Sequence, residues 1–199
     1  MEYLVTMTTR VPAGTAEASV TDVRSREAAR SRELAAQGHL LRLWRPPVQP
    51  GEWRTLGLFA ASDADQLAQI LASMPLHVWR TDEVTPLSPH PNDPAHPAAA
   101  SQDAKEFLTT FTATPEPAKA EAAAEANVRE RDRALELATE GNLERLWELP
   151  SAGQSLGLWR AADAVEMQAI VKSLPLDPFM TTEITPLAEH PSDPAISHV

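Results

Sequence analysis

The chain opens on an alternating pattern. Tyr3, Val5 and Met7 fall on one face of an extended segment and Leu4, Thr6 and Thr8 on the other, the period of a half-buried strand. A helical pattern follows, in which Val20, Val23, Glu27, Ser31 and Leu34 share one arc, since each residue turns a helix by about 100°. Gly38 is placed to end that helix. Leu41 to Arg45 and Thr55 to Ala60 predict two more strands, joined by the proline-rich Pro46-Pro47-Val48-Gln49-Pro50-Gly51. Asp63 followed by Gln66 marks a second helix N-terminus, with Leu67, Ile70 and Leu71 as its apolar stripe. Pro75 lies just beyond that helix, and Asp82 to Leu87 supplies a last strand.

The same pattern then recurs. Residues 56–95 align with 156–195 without a gap, and 20 of the 40 positions are identical, far beyond chance. Leu56-Gly57-Leu58-Phe59 faces Leu156-Gly157-Leu158-Trp159, and His90-Pro91-Asn92-Asp93-Pro94 faces His190-Pro191-Ser192-Asp193-Pro194. Upstream, Gly38 corresponds to Gly141, Arg42-Leu43-Trp44 to Arg145-Leu146-Trp147, and Tyr3-Leu4 to Phe107-Leu108, with small insertions where loops are expected. Residues 1–94 and 104–199 therefore read as two copies of one module, with 95–103, rich in Ala, Pro and Ser, as the linker. Each copy runs β-α-β-β-α-β, which predicts a four-stranded antiparallel sheet with both helices on one face, the ferredoxin-like plan. The helix-free face of such a sheet needs cover, and two copies can cover each other. The expected fold class is α+β, with two tandem ferredoxin-like modules forming a pseudo-symmetric dimeric α+β barrel.

Composition narrows the function. A formal charge of −11 disfavours nucleic acid and anionic membranes as partners, because phosphate binders cluster Lys and Arg. With no cysteine, there are no disulfides, thiolate nucleophiles or Cys-ligated metals. No basic leader opens the chain and no apolar run is long enough for a membrane span, so a cytoplasmic location is expected. The six histidines show no metal-ligand spacing.

The candidate chemistry centres on Glu27, in the middle of the helix stripe that faces the sheet, and on Glu130, set among Ala123, Ala126, Ala134 and Leu137 in copy 2. A buried carboxylate is costly unless it is paired or gains a proton, and in the second case it becomes a proton shuttle near neutral pH. The structural alternative is a Glu–Arg pair with Arg42 or Arg145. Arg45 at a strand end could anchor a substrate carboxylate, where copy 2 has Glu148. Trp44, Trp147, His90 and His190 are further binding candidates, each with an ordinary packing role as the alternative. The Arg-rich run from Arg24 to Arg32, interleaved with Glu, reads as a solvated helix face.

At these residues the chain resembles the muconolactone Δ-isomerase family, once per copy and over nearly its whole length. The resemblance rests on an ordered set: a helix Glu eleven residues before a Gly, a Leu-Trp-Arg strand, a Pro-Leu segment, a Glu-Val-Thr-Pro-Leu strand and a closing His-Pro. In copy 1 these are Glu27, Gly38, Leu43-Trp44-Arg45, Pro75-Leu76, Glu83 to Leu87 and His90-Pro91. Copy 2 supplies Glu130, Gly141, Leu146-Trp147, Pro175 to Met180, Glu183 to Leu187 and His190-Pro191.

The resemblance implies an enzyme that moves a double bond in a small unsaturated lactone by proton transfer, with a small-molecule substrate and no metal or organic cofactor. It implies Glu27 and Glu130 as proton shuttles, and Arg42, Trp44, Arg45, Trp79, His90, Arg145, Trp147, Phe179 and His190 as substrate-binding candidates. Family members are single modules that assemble into oligomers, so a fused pair would be an intramolecular dimer able to form a homo-oligomer. Copy 1 is the better candidate site, holding Glu27, Arg42, Trp44 and Arg45 together and closed by the tail of copy 2. The family's Tyr is Leu56 or Leu156 here, and copy 1 has His77-Val78-Trp79-Arg80 in place of an aromatic-Pro-aromatic-Met segment. The two pockets are therefore expected to differ. A cyclase or dehydratase using the same pocket is the competing enzyme reading, and a binding or assembly module is the non-enzymatic one.

Overall fold

In the computed structural model, which describes residues 1–94, 103–114 and 116–196, the elements follow the order read from the sequence. The first copy forms β1 (Glu2–Thr9), α1 (Glu17–Ala36), β2 (Leu40–Arg45), β3 (Trp53–Ala60), α2 (Ala64–Ala72) and β4 (Arg80–Pro89). The second forms β5 (Lys105–Ala113), α3 (Ala120–Thr139), β6 (Leu143–Glu148), β7 (Gln154–Ala161), α4 (Ala164–Lys172) and β8 (Met180–Glu189). A short 3₁₀ turn, Pro75–Trp79 or Asp177–Phe179, leads into each last strand. Apart from Asp103, the expected linker lies outside the described residues.

The chain divides into two compact units whose borders differ from those of the repeats. Unit 1 holds Met1–Leu87 and the described residues from Ala188 onward, and unit 2 holds Ser88–Leu187.

In unit 1 the antiparallel order is β2-β3-β1-β4, and the free edge of β2 is paired by Ala188 and Glu189 opposite Arg45 and Trp44. Tyr3, Val5 and Met7 pack with Leu34, Leu40, Leu43, Phe59, Leu67, Ile70 and Leu71 in one buried cluster. Each such fully buried side chain contributes about 1.5–3 kcal/mol of transfer free energy. Helix α1 ends in a Schellman motif: His39 N–H reaches Leu34 O at 2.8 Å, Gly38 N–H reaches Ala35 O at 2.9 Å, and Gly38 takes φ +75°. The N-cap of α2 is the expected Asp63, which accepts from Gln66 N–H at 2.8 Å.

Unit 2 repeats this plan in the order β6-β7-β5-β8, with Ser88 and Pro89 opposite Glu148 and Trp147 on the edge of β6. Its core gathers Phe107, Phe111, Ala134, Leu137, Leu143, Leu146, Trp159, Met167, Ile170 and Val171. Two aromatics are larger than their counterparts: Trp159 replaces Phe59 and Phe111 replaces Met7. Trp159 Nε1 donates to Thr109 Oγ1 at 2.8 Å, and its ring meets Phe111 edge-on with centroids 6.2 Å apart. A Cβ at Gly157 would collide with the Trp159 ring and approach Thr109 Oγ1 to 2.8 Å, so only glycine leaves room for this bond.

Candidate functional site

The helix stripe expected to face the sheet does so. Val23, Ser31 and Leu34 of α1 are buried, and Glu27 lies between them with its side chain 13% exposed. There it lines a cavity of about 310 Å³ within unit 1. Glu27 Oε2 accepts the Leu76 N–H at 2.8 Å, and Oε1 accepts from Arg80 Nη1 at 3.2 Å. Arg80 is 2% exposed and is held by Leu71 O at 3.3 Å and by the Asp82 carboxylate, whose Oδ1 lies 2.6 Å from Nε. Burial raises the Glu27 pKa; the Leu76 N–H and the Arg80 charge pull the other way without cancelling it.

Three arginines line this cavity, Arg24, Arg45 and Arg80, together with Thr9, Ser31, Thr55, Trp53 and His190. The Arg24 guanidinium stacks 4.4 Å over the Trp53 ring. Among the described residues no carboxylate pairs with Arg24 or Arg45, in contrast to Arg80. Burial, reinforced by the nearby Arg45 charge, lowers the His190 pKa to about 4, so the ring is neutral at pH 7. Its Nδ1 accepts the Ser192 N–H at 3.1 Å, which leaves the proton on Nε2.

The second glutamate sits in a matching but smaller place. Glu130 is buried and lines a cavity of about 70 Å³ in unit 2 with His90, Asn92, Phe111, Asn127, Leu146, Ser155, Trp159, Leu176 and Met180. Its Oε2 accepts the Leu176 N–H at 2.9 Å. Among the described residues no cation pairs with it, and burial raises its pKa. His90 is held as His190 is, its Nδ1 accepting from Asn92 N–H at 3.1 Å, and burial lowers its pKa.

The other candidates fall apart into two groups. Arg45 lines the unit 1 cavity with Glu27, but Arg42 and Trp44 do not. In β2, Leu43 and Arg45 face the helices, whereas Arg42 and Trp44 pair with Leu58 and Leu56 on the opposite face. There Arg42 lies 4.8 Å over the Trp44 ring and bonds Asp193 at 3.0 Å, and Asp193 also accepts from Leu43 N–H at 3.1 Å. Arg145 and Trp147 repeat this arrangement, with Asp93 in place of Asp193. The expected Glu–Arg pairs with Arg42 and Arg145 are thus replaced: those arginines bind aspartates, and Glu27 pairs with Arg80. Trp79 lies on its 3₁₀ turn outside the cavity lining, its carbonyl accepting from Arg10 N–H at 2.8 Å. Phe179 lines an adjoining open apolar groove of unit 2 rather than the Glu130 cavity.

Arg24 and Trp53 enter the site unforeseen, whereas Arg80, expected only as one of the changed pocket positions, enters it as the partner of Glu27. Arg24 precedes Glu27 by three residues, so helical spacing alone places it on the same face. Among the described residues, no cluster of three or more His, Asp or Glu side chains is placed to share a metal ion, and no helix is long and apolar enough to cross a membrane.

Two modules of ferredoxin-like order, each with a helix glutamate beside a cavity that a His-Pro segment helps to line, define the class. The sequence profile of the muconolactone delta-isomerase family matches residues 1–93 and again 106–193, and the chain belongs to that family. A muconolactone delta-isomerase from Cupriavidus pinatubonensis is 32% identical over 92 residues, covering 46% of this chain and 97% of the relative. One from Rhodococcus opacus is 31% identical over 65 residues, covering 33% of this chain and 70% of the relative. Each relative therefore corresponds to one module. Among solved structures, a variant of chlorite dismutase from Candidatus Nitrospira defluvii matches 94% of this chain and 91% of its own, with a TM-score of 0.56 at 10% identity. That similarity shows the α+β fold of tandem modules and nothing of its chemistry.

Proposed function

We propose that unit 1 is a cofactor-independent isomerase site for a small unsaturated lactone or related carbonyl compound that carries a carboxylate. One observation supports this reading most: Glu27, half-buried with a raised pKa, shares the lining of a cavity of about 310 Å³ with Arg45. Arg45 would anchor the substrate carboxylate. Glu27 would take a proton from the carbon α or γ to the carbonyl, as the electron pair moves into the conjugated system and onto the carbonyl oxygen. The same proton, returned to the other end of the dienolate, completes the shift with no net redox change. The neutral His190 offers an Nε2–H, and Arg80 a buried positive charge, to the oxygen where negative charge builds.

The Glu27–Arg80 ion pair also suits a second reading, in which the pair only holds the fold of a small-molecule binding module. A cyclase or dehydratase would use the same residues on a different substrate. Turnover of muconolactone by Glu27→Gln and Glu130→Gln, measured beside the melting temperature, tests the proposal. We expect Glu27→Gln to lose about 10²–10⁴-fold in kcat at a near-normal melting temperature. A Glu27→Gln protein that keeps wild-type turnover refutes it, as does a folded wild-type chain with no turnover at all.

A further inference from the structure

The two cavities surround equivalent glutamates, yet every cation of the first is missing from the second. Arg24 corresponds to Asn127, Arg45 to Glu148 and Arg80 to Met180. Asn127 and Met180 line the unit 2 cavity in the places of two arginines, and Glu148 is close enough to His90 to affect its titration. An anionic ligand would therefore meet a neutral wall and a nearby carboxylate. Trp53, the platform for Arg24, is matched by Gly153.

What remains is mostly apolar, with His90, Asn92, Asn127 and Ser155 as the neutral polar part of the lining. Phe111, Leu146, Trp159, Leu176 and Met180 surround Glu130, whose Oε1 makes no hydrogen bond among the described residues. Burial with no cation beside it moves this carboxyl toward its protonated form, against the pull of the Leu176 N–H, and in that form Oε1 can donate to a carbonyl oxygen. Size restricts the ligand further. At about 70 Å³ against about 310 Å³, the unit 2 cavity suits a smaller ligand than unit 1, such as an unsubstituted lactone ring.

We infer that unit 2 carries a second binding site, selective for a small uncharged carbonyl compound that accepts a hydrogen bond from Glu130. The part concerning unit 2 goes beyond the isomerase reading, and the part that sends carboxylates to unit 1 rests on that reading. It separates the two units by ligand charge: carboxylates to unit 1, neutral lactones or enones to unit 2.

The natural methionines report on each site. Met7 and Met74 line the unit 1 cavity and Met180 the unit 2 cavity. The full chain, labelled with ¹³C at the methionine methyls, is titrated with 2(5H)-furanone and separately with muconolactone, and the spectra are followed by NMR. The furanone should move the Met180 resonance saturably, at least tenfold more tightly than it moves those of Met7 and Met74. Muconolactone should show the reverse order. Glu130→Ala should weaken the furanone response at Met180 about tenfold while leaving the muconolactone response at Met7 and Met74 unchanged. A Met180 signal that the furanone leaves unmoved overturns the inference. So does a furanone response equally strong at Met7 and Met74, or a Met180 response indifferent to Glu130→Ala. Turnover plays no part in this readout, so failure here is distinguishable from failure of the isomerase reading.

Discussion

Arg80 Nη1 lies 3.2 Å from Glu27 Oε1, and the residue at the corresponding place beside Glu130 is Met180. One substitution thus gives a buried carboxylate a cation in unit 1 and withholds it in unit 2. The guanidinium stays in place because Nη2 donates to Leu71 O and to Asp82 Oδ2, and Asp82 too has lost its counterpart, to Thr182.

Arg80→Met should raise the proton affinity of Glu27, since one of the influences that lower it disappears. A base that must be ionised then works only at higher pH, so the acid limb of kcat/KM should move upward, and Arg80→Lys should move it back. The pH profile must be followed with the other ionisable groups around Glu27 intact: Asp82, His77, Arg24, Arg45 and His190. Single removal of Arg80 also strands the buried Asp82, at about 3–5 kcal/mol by urea unfolding. The double change Arg80→Met, Asp82→Thr, which copies unit 2, should recover most of that loss.

His190 makes stability depend on pH in a definite direction. Its folded pKa of about 4 lies below the ordinary histidine value, so on acidification the unfolded chain binds the proton first. The stability from its neutral burial is complete above about pH 6.5 and is lost as pH falls toward 4, with an upper figure of about 3 kcal/mol at 1.36 kcal/mol per unit. Glu27 and Glu130, with raised pKa values, work in the opposite sense and favour the folded state as they gain protons. His190→Gln should therefore flatten the fall in urea midpoint between pH 7 and 4.5. A fall of unchanged steepness would show that the His190 proton is not responsible.

Asp193 and Asp93 make the same contacts at different depths, with side chains 2% and 22% exposed. Asp193→Ala should cost about 3–5 kcal/mol, because it removes a buried carboxylate that accepts from both Arg42 and the Leu43 N–H. Asp93→Ala should cost clearly less, its partner Arg145 being 34% exposed. Urea unfolding of both variants checks the order.

Much of this was legible in the residues themselves. Glu27 and Glu130 stood out because each interrupts an apolar stripe at helical spacing, and the repeat showed that the interruption is shared. Strand parity also held information: Arg42 and Trp44 alternate with Leu43 and Arg45, so the four could not all face one cavity. The bulge at Leu41, which brings Leu40 and Leu43 to the same side, was not visible in the pattern. Arg80 as the partner of Glu27 was beyond reach, because the two are separated by 53 residues and meet only through packing of α1 against the 3₁₀ turn. The aspartates in the two His-Pro-x-Asp-Pro segments were identical in both copies, yet nothing local indicated that each would hold an arginine far away in sequence.

The tails bear on how such a gene can change. His190, Ser192 and Asp193 are written in the second copy but furnish unit 1, and His90, Asn92 and Asp93 are written in the first but furnish unit 2. The segment that is duplicated is therefore not the segment that packs as one unit. Splitting the coding sequence at the repeat border would remove one wall of each cavity and the partner of each strand arginine. The halves can diverge, as their linings already have, but each unit is completed by a segment written in the other copy.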